Sequence, residues 1–139
     1  MLFKRKKDHL CQLQKIKDLA NQGYPKAQCR WGQILYLGKG TGRDFSEAVK
    51  WFRLSAEQGC ADAQFHLGVC YRFGEGVKKN YSEAIKWFRL AAEHGNRDAQ
   101  FILGLCYETG LGVKKDKSEA VKWYCLATKH TKRSKTNTQ

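Results

Sequence analysis

Residues 61–76 read ADAQFHLGVCYRFGEG, and residues 97–112, 36 positions further on, read RDAQFILGLCYETGLG. In the first of these, Ala63, Phe65, Leu67, Gly68 and Tyr71 fall at helical spacing and make one apolar stripe. Gly74 and Gly76 then supply the positive φ that a tight reversal of the chain needs. Residues 25–40, PKAQCRWGQILYLGKG, set out the same frame once more, 36 positions earlier. A helix followed by a sharp turn therefore occurs three times in one register.

The register extends through the rest of the chain. Trp51, Trp87 and Trp123 are 36 apart, as are Glu47, Glu83 and Glu119, and Ala48, Ala84 and Ala120. Between 60–95 and 96–131, 21 of 36 aligned residues are identical and no gap is needed. A fixed period of this length is the mark of a repeat architecture and takes precedence over any other reading of the fold.

Local signals place a second helix in each unit. Asp44-Phe-Ser-Glu47, Asn80-Tyr-Ser-Glu83 and Asp116-Lys-Ser-Glu119 read as capping boxes. From the second of them a helix runs through Ala84, Ile85, Trp87, Phe88 and Ala91 to Gly95, a residue suited to the left-handed position past a helix end. Pro25, Ala61 and Arg97 are equivalent; a first-turn proline costs no hydrogen bond, and Asn96 is a good N-cap, so first helices start near 25, 61 and 97. One such hairpin cannot bury both apolar faces, but stacked copies can. The expected fold is all-α, a solenoid of three hairpins (24–59, 60–95, 96–131) behind a capping helix at 8–23. The basic ends, 1–7 and 132–139, are expected to be disordered.

Ala63-x3-Leu67-Gly68-x2-Tyr71-x2-Gly74-x-Gly76-Val77, followed by Ala84-x2-Trp87-Phe88-x2-Ala91-Ala92-x2-Gly95, resembles the Sel-one-like repeat, a relative of the tetratricopeptide repeat. The resemblance covers about 24–131. Repeat one departs from it at Trp31 and Thr41, and repeat three at Thr131. It implies a right-handed superhelix whose concave side, lined mainly by first helices, binds proteins or peptides. Some small bacterial members join a cysteine after the repeat-ending glycine to one late in the second helix. Here Cys60 occupies the first place but Ala56 and Ala92 stand at the second, so that pairing is not carried over.

Composition narrows the function classes. The chain has 26 Lys and Arg against 13 Asp and Glu, a net charge of +13, which favours acidic partners. Neither a secretory leader nor an 18-residue apolar span is visible, so an intracellular, cytoplasmic protein with free thiols is expected. Lys50, Lys86 and Lys122 form a column across the repeats, with Glu47, Glu83 and Glu119 three residues before each, a pattern that suits a solvated face. The runner-up function is electrostatic binding of nucleic acid or anionic membrane through that face and the basic ends. The aromatics recur at core spacing, which speaks against base stacking.

His66 and Cys70 share a helical face, and Cys106 repeats Cys70, but no CxxC or HExxH spacing accompanies them. Small thiols pack well between helices, and a repeated position does not make a unique catalytic pocket. No catalytic residue, metal or cofactor is expected. Recognition is expected from first-helix positions off the apolar stripe: Gln28, Gln64 and Gln100, which recur, with His66, Arg72 and Glu108, which vary, and Trp31 as an anchor. The expected partner is an acidic protein or peptide held on the concave face by an adaptor or scaffold. An open apolar edge around Val121, Tyr124 and Leu126 also points to a weak homodimer through the C-terminal repeat.

Overall fold

The computed structural model describes residues 2–136, with side chains described from 2 to 129. The described residues form helices and turns only: α1 (Leu2–Asn21), α2 (Pro25–Leu37), α3 (Phe45–Glu57), α4 (Ala61–Phe73), α5 (Tyr81–Glu93), α6 (Arg97–Thr109) and α7 (Lys117–Thr136). The main packing of each helix is against its neighbours in the chain, as a stack of hairpins requires.

The helix starts expected at 25, 61 and 97 are where the first helices begin. The side chains of Asp44, Asn80 and Asp116 accept the backbone N–H of Glu47, Glu83 and Glu119 at 3.0, 3.1 and 3.2 Å. Only that half of each capping box forms. The N–H of each cap residue instead donates to a carbonyl of the preceding first helix, Leu35, Tyr71 or Tyr107, at 2.9, 2.9 and 2.8 Å. The three glutamates are thereby left to pair with lysines one turn on.

Within a hairpin the two helices touch at glycine. A Cβ on Gly68 would lie 2.7 Å from Cε1 of Phe88, and Gly32 and Gly104 have the same relation to Phe52 and Tyr124. Phe52, Phe88, Leu67 and Leu103 are sealed from solvent, each contributing roughly 1.5–3 kcal/mol by removal from water. Between hairpins α3 packs on α4 and α5 on α6, and the turn adds a close contact. Gly76, at φ 75°, seats on the start of α3, where a Cβ would run into the Phe45 carbonyl.

The ends differ from expectation. α1 is helical from Leu2, so residues 2–7 of the stretch expected to be disordered continue the helix; they are exposed, and lysine and arginine are good helix formers that need no packing to extend one. The packed part, Leu13, Ile16 and Ala20, lies within the expected cap at 8–23. α7 likewise runs to Thr136, so 132–136 are helical and 137–139 lie outside the described residues.

Candidate functional site

The recurring polar residues of the first helices belong to the scaffold. Gln28, Gln64 and Gln100 are buried, and each amide donates to the carbonyl eight residues back, of Ala20, Ala56 and Ala92, at 3.4, 3.1 and 3.1 Å. Gln28 also accepts from Gln58 at 2.7 Å, and Gln64 Oε1 lies 2.9 Å from His94 Nδ1. These glutamines therefore fasten each first helix to the second helix before it and have almost no surface to offer a partner, a correction to their expected role in recognition. Their recurrence was the signal, because a position repeated in every unit serves what is common to every unit.

The lysine column is likewise accounted for locally. Lys50, Lys86 and Lys122 pair with Glu47, Glu83 and Glu119 at 3.4, 3.3 and 3.2 Å, all well exposed. Trp31 is half-buried, with Lys17 Nζ 5.8 Å from its ring centroid, so α1 covers one side of the expected anchor.

The varying positions behave differently at the two junctions between repeats. At the first, His66 stacks on Phe52 with ring centroids 5.0 Å apart and 16° between planes, and its Nε2 lies 2.8 Å from Gln33 Nε2. Tyr36 packs on Phe45 at 5.0 Å and donates its hydroxyl to Glu75 at 2.8 Å. Burial holds the His66 ring below its usual pKa, against the opposing pull of Asp62 and Asp98, because the charged imidazole loses its water there.

At the second junction Ile102 stands for His66, Arg72 for Tyr36, Tyr81 for Phe45 and Leu111 for Glu75. The stacked rings and their hydroxyl bond are gone, and a recess of about 230 Å³ opens between α4, α5 and α6. Ile85 and Phe88 line its inner side and Ile102, Leu105 and Leu111 its mouth, with Arg72 as its one charged residue. The Arg72 guanidinium lies over Phe73 at 5.2 Å and has no carboxylate partner among the described residues. Glu108 stands apart, accepting the Tyr124 hydroxyl at 2.6 Å; that bond, more than burial, pushes the phenol up to about 12.

The cysteines fall into three groups. Cys70 and Cys106 are buried apolar packing, their thiols pushed up mainly by burial; among the described residues no three His, Cys, Asp or Glu side chains gather as a metal site would require. Cys11 and Cys125 are exposed. Cys29, on α2, and Cys60, at the N-cap of α4, line one wide groove of about 820 Å³. The 31-residue separation gives no motif for that pair. The available signal was that both positions break the repeat, with Phe65 and Phe101 equivalent to Cys29, and Tyr24 and Asn96 to Cys60.

Among the described residues no helix is long and apolar enough to cross a membrane. The Sel1 repeat is matched three times, at 25–60, 61–96 and 97–131. No curated protein matches. Among solved structures, a Sel1 repeat protein from Oxalobacter formigenes superposes with a TM-score of 0.76 at 39% identity, covering 78% of this chain and 43% of that one. A protective antigen of uropathogenic Escherichia coli strains displaying an SLR fold gives 0.80 at 42% identity, covering 85% and 25%. Helicobacter pylori cysteine rich protein B gives 0.67 at 26% identity, covering 84% and 89%. This chain thus spans less than half the length of the first two.

Proposed function

This chain belongs to the Sel1 repeat family, whose members are generally non-catalytic scaffolds for protein interaction, and on that premise we propose that it is an adaptor whose concave side takes an acidic peptide segment with an apolar anchor. The recess between the second and third repeats is the observation that carries this reading. Its volume of about 230 Å³ exceeds the roughly 150 Å³ of an engineered apolar cavity that admits benzene, so a phenyl or branched aliphatic side chain fits. Arg72, free of any carboxylate within the described chain, favours an Asp or Glu beside that anchor.

Selection of a random peptide library on the full chain at physiological salt tests this. The expected result is a consensus with one aromatic or aliphatic residue next to an acidic one, lost with Leu105→Arg, a substitution at an exposed position. Arg72→Glu is expected to turn the acidic preference basic. No consensus, or one that survives both changes, overturns the reading. A consensus abolished instead by reversing Lys50, Lys86 and Lys122 to Glu would favour the electrostatic alternative.

We assign the open face of α7 to a second copy of the chain. Val121 is 57% exposed, whereas its counterparts Val49 and Ile85, covered by the first helix that follows them, are 4% and 8% exposed. Sedimentation is expected to show weak self-association that Val121→Lys removes; a mass independent of concentration overturns it.

A further inference from the structure

We propose that Cys29 and Cys60 form a reactive dithiol that exchanges with small anionic disulfides and closes to an internal disulfide across the first repeat junction. The inference is independent of the adaptor reading and rests on the placement of the pair. Both residues line one open groove whose wall carries Lys26 and Arg30, with the Asp62 carboxylate and His94 also on it. Cys60 is half-buried, and Cys29 is buried behind it. Cys60 stands at the N-terminus of α4, where free backbone N–H groups and the helix dipole favour a thiolate.

The surroundings fix the pair in place. The Ser55 hydroxyl donates to the Pro25 carbonyl at 2.7 Å, and Gln58 donates to Gln28 and to the Gly23 carbonyl at 2.7 and 3.2 Å. These bonds tie the start of α2 to the turn that carries Cys60. The neighbouring Cys29 thiol holds the Cys60 thiol well below its ordinary range, against burial and the Asp62 carboxylate, and Cys29 is raised in turn. The scaffold needs neither thiol, since the same positions in other repeats hold phenylalanine, asparagine or tyrosine. Nor is this the pairing seen in some relatives, which would join Cys60 to a residue late in a second helix.

With oxidised glutathione as the disulfide, the chemistry balances in two exchanges. The Cys60 thiolate attacks one glutathione sulfur, its S–S bond breaks, and one glutathione thiolate leaves. Cys29 then gives up its proton and attacks Cys60 Sγ, expelling the second glutathione. Two protein thiols are oxidised, one glutathione disulfide is reduced to two thiols, and the two thiol protons end on the glutathiones. Cys60 is the attacking thiol because it stands at a helix N-terminus and is the more accessible; Cys29 resolves the mixed disulfide because it lines the same groove. Lys26 and Arg30 raise the local concentration of an anionic reagent.

The test incubates the reduced full chain with oxidised glutathione at pH 6 to 8, quenches with acid, and reads the intact mass and a peptide map. Expected is the loss of two hydrogens with a Cys29–Cys60 cross-linked peptide, formed at least tenfold faster than any adduct on Cys11 or Cys125, the advantage growing toward pH 6. Cys29→Ser is expected to stop at one glutathione on Cys60. A wild-type chain that accumulates that mixed disulfide, or a Cys60 no faster than Cys11 and Cys125, overturns the proposal. The wild-type map decides even if a variant fails to fold.

Discussion

The two junctions between repeats are built on one frame and finished in opposite ways. At the first, His66, Tyr36 and Phe45 close ring on ring over Phe52, and a hydroxyl bond to Glu75 secures the edge. At the second, the same positions hold Ile102, Arg72, Tyr81 and Leu111, and the space over Phe88 stays open. The caps, the glycine contacts and the buried glutamines are common to both. The difference teaches that stacking requires only the shared positions, which leaves the varying ones able either to fill a junction or to hollow it.

The largest effects are expected at the floor of each junction. Phe52→Ala and Phe88→Ala should each cost about 3–5 kcal/mol in urea unfolding, with Phe88→Ala nearer the lower figure. Its cavity would merge with a recess already open to water, whereas the one beneath His66 would be enclosed. Equal costs would break the comparison. Gly68→Ala, which drives a Cβ against Phe88, should cost about 1–3 kcal/mol.

Exchanging the finishing residues sharpens the contrast. Arg72→Tyr with Tyr81→Phe, Ile102→His and Leu111→Glu carries the first junction's set into the second; it should close the recess and abolish the peptide consensus while leaving stability within about 1 kcal/mol of wild type. The reverse change at His66 has a signature in pH. The folded ring titrates below the unfolded one, so the unfolded chain binds the proton first as pH falls. The stability due to the neutral ring is thus whole above the unfolded pKa of about 6.5 and is lost below it. His66→Ile should flatten the fall in unfolding free energy below about pH 6.5. The smallest effect is expected on the outer face, where Lys86→Ala should change stability by no more than about 0.5 kcal/mol, because the ion pair is exposed.

Much of this was legible in the residues because the devices are local. A cap acts within three residues and a positive-φ glycine within one, so Asp44, Asn80, Gly74 and Gly95 could be placed without knowing what lay opposite. The recess was less legible, since Arg72 and His66 announce variation but not whether their neighbours fill the space. The glutamines were misread because an amide on a helix looks solvent-facing until the carbonyl that takes it, on another helix, is known. The same limit hid Cys29 and Cys60, whose place in one groove depends on how α2 stacks beside α4. At the N-terminus, charge was read as disorder although its lysines and arginine favour the helix.

The buried glutamines bear on how the array comes apart. Each amide bond crosses from a first helix to the helix stacked before it, so opening a single hairpin breaks that bond together with the apolar contacts of the junction. That loss accompanies every arrangement in which an open hairpin lies beside a folded one. An assembly of near-identical units is thereby expected to melt as one cooperative body, with adjacent units sharing a common fate.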